Sequence, residues 1–431
     1  MSKKKLITII GAGMAGVSSA AEIVRNTQHE VIIVDKQPVL RARNQTSYSS
    51  GVVHAGIFYP IQYMPEKAEL CVLGNAMHYE FGKEHGTPIK KTEKLMVAPT
   101  PRWVPYLNDV EKNAIDAGAE IIRLTAEEAK RYERNVKVEA ALLAPTSGII
   151  DAVAYIEKLA SLLKGCSNFH SDTISSNKYG YEVIDIKPKG CGFEITARTT
   201  DASRQLSQWE TDVVINCAGL YSDEIARMIN PDSPYEIDPI RGEAFKFYKT
   251  KRDEIWHEGL NIYHAPHGLW EDGTIADIEF GEFEKLLLAG EIFKTVGVHL
   301  TPTFAMNPVT GEYLRDPDTG EYLVDKTVTV GPAFVGNVGK EDYRITKPAE
   351  FFFDSTIGYW PGFKGRGQED GDLQPHQAGI MARLKGHLDF VNGPDPKYEN
   401  FYNSLGFDTP GITSAPAFAK FRVLPYIIGL N

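Results

Sequence analysis

One stretch, Leu6 to Asp35, constrains the fold more than any other. Leu6, Ile7, Ile9 and Ile10 form a short apolar run of strand length that stops at glycine. Gly11-Ala12-Gly13-Met14-Ala15-Gly16 follows directly, and Met14 to about Arg25 then reads as a helix. Val31 to Val34 is a second buried strand, closed by Asp35, which lies 19 residues after Gly16. Strand, glycine turn, helix, strand and acid together make the fingerprint of a dinucleotide-binding βαβ unit. Gly11 permits the tight turn, Gly13 allows close backbone approach to a pyrophosphate, and Gly16 lets helix and strand pack closely. The helix amino end attracts phosphate charge, and the Asp35 carboxylate suits a ribose hydroxyl. The unit anchors ADP, which FAD and NAD share.

With 431 residues the chain calls for two domains. Its 42% hydrophobic and 24% charged residues suit a globular protein with a substantial core. A net charge of −11 excludes a general nucleic-acid binder, because neutralising phosphates needs a basic surface. The basic start Ser2-Lys3-Lys4-Lys5 runs into a strand rather than a secretory apolar core, and no eighteen apolar residues run together. Cys71, Cys166, Cys191 and Cys217 are scattered, so neither a metal site nor a disulfide framework is expected, and Cys217 reads as a small buried hydrophobe. A cytoplasmic location fits, with peripheral membrane association compatible.

Downstream blocks sharpen the reading. Arg41 to Gly51 is polar and rich in small hydroxyl residues, a candidate second backbone cradle, and it leads into Ser49-Ser50-Gly51-Val52-Val53-His54-Ala55-Gly56-Ile57-Phe58-Tyr59. The opening motif together with "SSGVVHAGIFY" resembles the D-amino-acid-oxidase superfamily of FAD-dependent oxidoreductases, nearest to its L-2-hydroxyglutarate dehydrogenase group, with glycerol-3-phosphate dehydrogenases more distant. Three later blocks carry the same resemblance: Asp212 to Ser222, Asp372-Leu373-Gln374-Pro375 with Ala378-Gly379-Ile380, and Leu405 to Ser414. The resemblance implies FAD as cofactor, with no metal. It assigns cofactor contacts to Gly11, Gly13, Met14, Ala15, Gly16, Asp35 and Lys36, and to Gln45, Thr46, Ser49, Ser50, Gly51 and Val52. Further contacts fall to Val183, Cys217, Ala218, Gly219, Gly379, Gly411, Ile412 and Thr413. The last three begin a helix whose dipole faces charge developing on reduced flavin.

The expected architecture is α/β: a Rossmann-like FAD-binding domain with a second mixed-sheet α+β substrate domain. The cofactor domain is assigned 1–90, 145–236 and 372–431, and the substrate domain 91–144 and 237–371. Helices are expected over Lys67 to Glu84 (amphipathic), Val104 to Ala117 and Ala152 to Leu163, with Thr125 an N-cap. Strands are expected at Lys94 to Ala98, Tyr181 to Ile186, Gly192 to Ala197, Asn261 to His264 and Gly297 to Thr301. Asp201 to Gln208 and the glycine- and acid-rich Gly365 to Asp372 read as turn or loop, and Glu271 to Glu284 as a solvated insertion. Thr310-Gly311-Glu312-Tyr313-Leu314, echoed by Thr319-Gly320-Glu321-Tyr322-Leu323, suggests two hairpin excursions.

For a 2-hydroxy acid, the C2 hydride passes to flavin N5 while a base takes the hydroxyl proton. Histidine suits that role, and His54 and His299 lie in family-matching segments. His264 and His376 are weaker candidates, and His29, His78, His85 and His170 read as ordinary surface or helix residues. The look-alike dehydrogenases usually carry arginine where this chain has Pro302 and Met381. Neither replacement offers the planar fork that binds a carboxylate, which leaves Arg241 as the third catalytic candidate and Arg383 as a possible substitute. The leading expectation is oxidation of a small 2-hydroxy acid. Oxidation of an amine or amino acid, and a flavin-binding protein without catalysis, are the alternatives. Oxygen, a quinone or a carrier protein could each accept the electrons.

Overall fold

A computed structural model describes residues 4–169, 178–248, 257–270, 275–276, 278–361 and 373–430. His170, the loop Gly365 to Asp372 and part of the acidic stretch Glu271 to Glu284 lie outside the described residues.

The opening unit folds as strand β1 (Leu6–Ile10), helix α1 (Met14–Asn26) and strand β2 (Glu30–Asp35). β1 is flanked by parallel partners, β2 on one side and Val213–Asn216 on the other, with Phe401–Leu405 parallel beyond the latter. Such strands are buried on both faces and so read as unbroken apolar runs. The alternation sorts the two faces. Ile7, Ile9, Val31, Ile33, Val213 and Ile215 pack with α1 and the helix Ala152–Leu163, whereas Ile10, Val34 and Val214 pack with Val183, Ile186, Phe193 and Ile195. The second group comes from a three-stranded meander, Tyr181–Lys189, Gly192–Thr199 and Leu206–Thr211. The third strand absorbs the end of the segment expected to be turn-like, because its alternate residues pair across to Gly192–Thr199. Val183 therefore packs into this core, with its side chain buried.

The eight-stranded sheet runs in the order Leu373–Leu384, Ile237–Phe247, Val324–Val335, His299–Phe304, Asn261–His264, Lys94–Ala98, Ala140–Ala144 and Ile122–Thr125. Leu373–Leu384, placed with the cofactor segments, pairs along its length with Ile237–Phe247 and belongs to this sheet. The chain rejoins the six-stranded sheet only at Val391–Pro394. Thr125 caps its helix with a reciprocal capping box to Glu128. The two Thr-Gly-Glu-Tyr-Leu units form matching turns, Gly311 N–H to the Asn307 carbonyl and Gly320 N–H to the Asp316 carbonyl, both 2.9 Å. The tyrosines dock this excursion: Tyr313 donates to Asp151 at 2.6 Å, and Tyr322 to the Gly86 carbonyl at 2.6 Å. The acidic stretch is not wholly solvated, because Phe280–Leu288 is a helix with Phe283 and Leu287 buried.

Helix α2 (Pro65–His85) departs from simple amphipathicity. Its buried face carries Lys67, Asn75 and His78 beside Ala68, Leu70, Cys71 and Phe81. Of these, Asn75 and His78 meet backbone. Asn75 Nδ2 donates to the His54 and Thr146 carbonyls, both at 2.9 Å, and His78 Nε2 lies 2.9 Å from the Ile412 carbonyl. Gly74 allows the contact, since a Cβ there would stand 2.0 Å from the Thr413 carbonyl oxygen. Gly74→Ala is expected to lower stability by about 1–3 kcal/mol through overpacking. Gly165→Ala, where a Cβ meets nothing within 4 Å, serves as the neutral control. Urea unfolding of the two variants checks this.

Candidate active site

Several element ends converge on one cavity of roughly 400 Å³. α1 begins there, with Gly13 at its N-cap and no side-chain cap. The helix Gly411–Phe418 begins there too, with Pro410 at its N-cap and no side-chain cap. Two helix amino ends thus open onto one space, neither capped by its own N-cap side chain, although the first amide of α1, that of Met14, donates to Thr46 Oγ1 at 3.0 Å. Gly11, at φ +107°, makes the turn before α1, and a Cβ on it would strike the Cys217 carbonyl at 2.2 Å.

The cavity collects most of the expected cofactor residues. From the first segment it takes Gly13, Met14 and Ala15, then Gln45, Thr46, Ser49, Ser50, Gly51 and Val52. From later segments it takes Cys217, Gly219, Gly379, Gly411 and Ile412. Cys217 is half-buried at the wall rather than core-buried, its thiol pushed up to about 12 by burial. The remaining expected residues stand behind the wall. Gly16 packs against the Gly11 carbonyl. Asp35 accepts from Ala12 N–H at 2.6 Å and Gln37 N–H at 2.7 Å, and burial raises its pKa. Lys36 pairs with Glu341 at 2.7 Å and sits over the Tyr221 ring. The Ala218 amide lies 3.3 Å from the Asn216 side chain. Thr413 accepts from the His54 amide at 3.0 Å, so it positions the histidine segment and does not line the cavity.

His54 and His299 both face this space. His299 stacks on Tyr263 with ring centroids 3.9 Å apart, and its Nδ1 lies 3.2 Å from the Thr301 hydroxyl. His54 Nδ1 lies 3.4 Å from Lys94 Nζ. Burial holds both imidazoles well below the usual histidine pKa, with the Lys94 charge acting in the same direction, so both are neutral near pH 7. Neither weaker candidate reaches the cavity: His264 bonds the Ala265 carbonyl and His376 is exposed.

Arg241 lies outside this lining. Ile240 and Gly242 line the cavity, and strand alternation turns Arg241 to the opposite face. There its guanidinium is buried against Glu243 at 2.7 Å, Asp342 at 2.6 Å and Thr346 at 3.0 Å. Arg383 does line the cavity. It pairs with Asp238 and stacks on Phe293 at 3.7 Å, while Nη1 is buried with no hydrogen-bond partner among the described residues.

Sequence reasoning missed several groups at the site. Lys67 and Asp408 form a buried pair at 2.7 Å on the cavity wall, where burial raises the Asp408 pKa and Lys67 opposes it. Lys294, Tyr263 and His387 also line it. Lys94 was the most legible of the missed residues, because it opens the otherwise apolar strand Lys94–Ala98, all of it buried. His29 and His78, expected to be ordinary, are buried, the former accepting from the Lys5 amide.

The fit to a dinucleotide is carried by two helix amino ends and a backbone-rich wall that includes Gly13 and Gly51. These features define a flavin- or nicotinamide-binding oxidoreductase of the two-sheet α/β type. The comparisons narrow that class: the FAD dependent oxidoreductase (DAO) family matches residues 7–421, and the chain belongs to it. It is 31% identical over 265 residues to L-2-hydroxyglutarate dehydrogenase of Indibacter alkaliphilus, an alignment spanning 60% of this chain and 61% of that one. It is 26% identical over 426 residues to glycerol 3-phosphate dehydrogenase of Caloramator mitchellensis, across 97% of this chain and 72% of that one. L-alpha-glycerophosphate oxidase of Mycoplasma pneumoniae, solved with FAD bound, superposes with a TM-score of 0.73 at 21% identity, covering 98% and 95% of the two chains. The chain is therefore an FAD-dependent oxidoreductase. Among the described residues no helix is long and apolar enough to cross a membrane, and no group of His, Cys, Asp or Glu side chains could hold a metal ion.

The buried histidines also tie stability to pH. His78 and His264 are each lowered to about 4 by burial, whereas an unfolded histidine titrates near 6.5. Between those values the unfolded chain binds protons that the folded chain does not, so stability falls as pH drops from about 6.5 to 4. His78→Gln is expected to make that fall shallower, as measured by urea unfolding across the range.

Proposed function

We propose that this protein oxidises a small 2-hydroxy acid of the L-2-hydroxyglutarate kind to the corresponding 2-oxo acid. The observation that carries the reading is the cavity itself, which sets two neutral histidines and the Arg383 side chain around one space. When bound, FAD supplies the hydride acceptor, at its N5 atom. The chain supplies the rest. Backbone from Gly13 to Ala15 and from Ser49 to Val52, with the start of Gly411–Phe418, would hold the cofactor, as would Asp35 and Lys36. His54 and His299 hold or accept the hydroxyl proton. Aromatic and aliphatic wall residues, among them Phe58, Tyr263 and Leu388, exclude water.

The missing arginines mark a displaced carboxylate pocket rather than an absent one. Met381 and Arg383 both line the cavity, two residues apart on one strand. Their Cα atoms are therefore about 7 Å apart. Arg383, already paired with Asp238, brings a guanidinium to the wall one pleat further along. The similarity to an L-2-hydroxyglutarate dehydrogenase over 60% of the chain supports this substrate class. The four free cysteines suit a reducing compartment, in keeping with a cytoplasmic location.

Anaerobic titration of the yellow protein with a panel of hydroxy acids and amines tests the reading. Bleaching by 2-hydroxy acids bearing a second anionic group is expected. Bleaching by amines or amino acids instead, or no bleaching by any compound, overturns it. Arg383→Ala is expected to raise KM by about 2–4 kcal/mol of lost binding, or roughly 30- to 1,000-fold, with a smaller change in kcat. Steady-state kinetics with the bleaching substrate provides the check.

A further inference from the structure

Lys94 is the cation for which the site, as described so far, has no use. It is fully buried on the strand Lys94–Ala98, paired through backbone register with Asn261 and Ala144. Among the described residues no carboxylate lies within ion-pair distance of it. Its Nζ sits 4.2 Å from the Tyr263 ring centroid and 5.1 Å from that of Phe58, so the aromatic faces carry part of its stabilisation. The other titratable groups around it are the two histidines and Cys71, whose thiol, in contact with the His54 carbonyl, burial pushes up to about 12. Its remaining polar neighbour is His54 Nδ1, at 3.4 Å.

An ammonium group has donors only. Opposite it, Nδ1 of a neutral imidazole must be the acceptor, and the ring proton then sits on Nε2. His299 is under no such constraint. Its Nδ1 faces the Thr301 hydroxyl, which can donate or accept, so a proton on Nδ1 is satisfied and Nε2 keeps its lone pair.

We propose that Lys94 is a positioning residue that fixes the proton of His54 on Nε2, making His54 the hydrogen-bond donor of the site and leaving His299 as its base. The inference rests on the oxidoreductase reading above and divides labour between the two histidines. The substrate hydroxyl proton passes to His299 Nε2 as the C2 hydrogen leaves as hydride for the flavin and the C–O bond becomes a carbonyl. His54 Nε2–H steadies substrate oxygen without taking the proton.

The constraint has a pH range. Burial lowers Lys94 to about 7. Below that value the side chain is an ammonium group and the tautomer is fixed. Above it the neutral amine has a lone pair that can accept from Nδ1–H, and the second tautomer becomes available.

Nitrogen-15 NMR of the FAD-loaded protein, labelled at histidine and assigned with His54→Gln, reads the tautomer directly. In the parent protein His54 is expected to carry its proton on Nε2 at pH 6 and to become a mixture above about pH 7. Lys94→Arg, a donor at every accessible pH, is expected to hold the Nε2 proton throughout. Lys94→Met, close in volume and apolar, is expected to show the mixture at every pH. A proton on Nδ1 at pH 6 in the parent protein, or a Lys94→Arg variant that titrates like the parent, overturns the proposal. These readouts use no substrate, so they stand or fall apart from the choice of hydroxy acid. With the bleaching substrate, His299→Gln is expected to cut kcat by about 10²–10⁴-fold, and His54→Gln to act mainly on KM. The reverse pattern also overturns the assignment.

Discussion

The site depends on a single constraint, the parallel register that ends β1, β2 and Val213–Asn216 at one edge of the six-stranded sheet. Ile10 lies opposite both Val34 and Asn216, so the chain leaves the sheet at one level in all three places. Gly11, Asp35 and Cys217 are the first residues past that level or the last on it. The Gly11 amide bonds the Val34 carbonyl at 2.8 Å, and the Cys217 amide bonds the Ile10 carbonyl at 2.8 Å. These bonds lock the glycine turn between two strand ends. The α1 amino end is aimed by them, together with the Thr46 hydroxyl that accepts from the Met14 amide at 3.0 Å.

The histidine face of the cavity is assembled by a different contact. α2 crosses the helix Gly411–Phe418 at Gly74, close enough that polar side chains on α2 reach backbone carbonyls on the far side. Asn75 and Thr413 grip the backbone of His54 from opposite directions, one at its carbonyl and one at its amide. A histidine on a loop is thereby held as firmly as one on a strand. The price of that rigidity is a set of buried polar groups, each of which must keep its partner to avoid a desolvation cost of about 1–3 kcal/mol.

Legibility in the sequence followed the range of the interaction involved. The βαβ unit was readable because its signal is local: glycine spacing, apolar runs and a terminal acid within one stretch. The bounds of Lys94–Ala98 and Ala152–Leu163 were readable for the same reason. Arg241 was not, because its role depends on which face of Ile237–Phe247 meets the cavity, and Ile240 and Gly242 take that face. The strand Leu373–Leu384 resembled a return to the cofactor domain through Asp372 to Pro375 and Ala378 to Ile380, and nothing local in those residues names its register partner, Ile237–Phe247. His78 passed as a helix-surface residue because nothing local announces the carbonyl of Ile412 across the crossing. Lys94 carried a usable signal, a lysine leading a wholly buried strand, but its meaning needed the position of His54.

The electrostatics of the cavity explain why that lysine matters. The positive side chains near the substrate end are mostly committed: Lys67 to Asp408, Lys294 to Asp109, and Arg383 partly to Asp238. Lys94 alone among them rests on aromatic faces and a histidine instead of a carboxylate. A carboxylate there would fix its charge across the physiological range, as ion pairing favours the charged form. Aromatic faces stabilise the cation less strongly, by about 0.5–2 kcal/mol. Its charge then stays responsive to pH, and with it the proton on His54. The two histidines resemble each other in burial and in lowered pKa, so their difference cannot come from those properties. It comes from the neighbour at Nδ1, a donor-only ammonium in one case and a hydroxyl that can turn either way in the other.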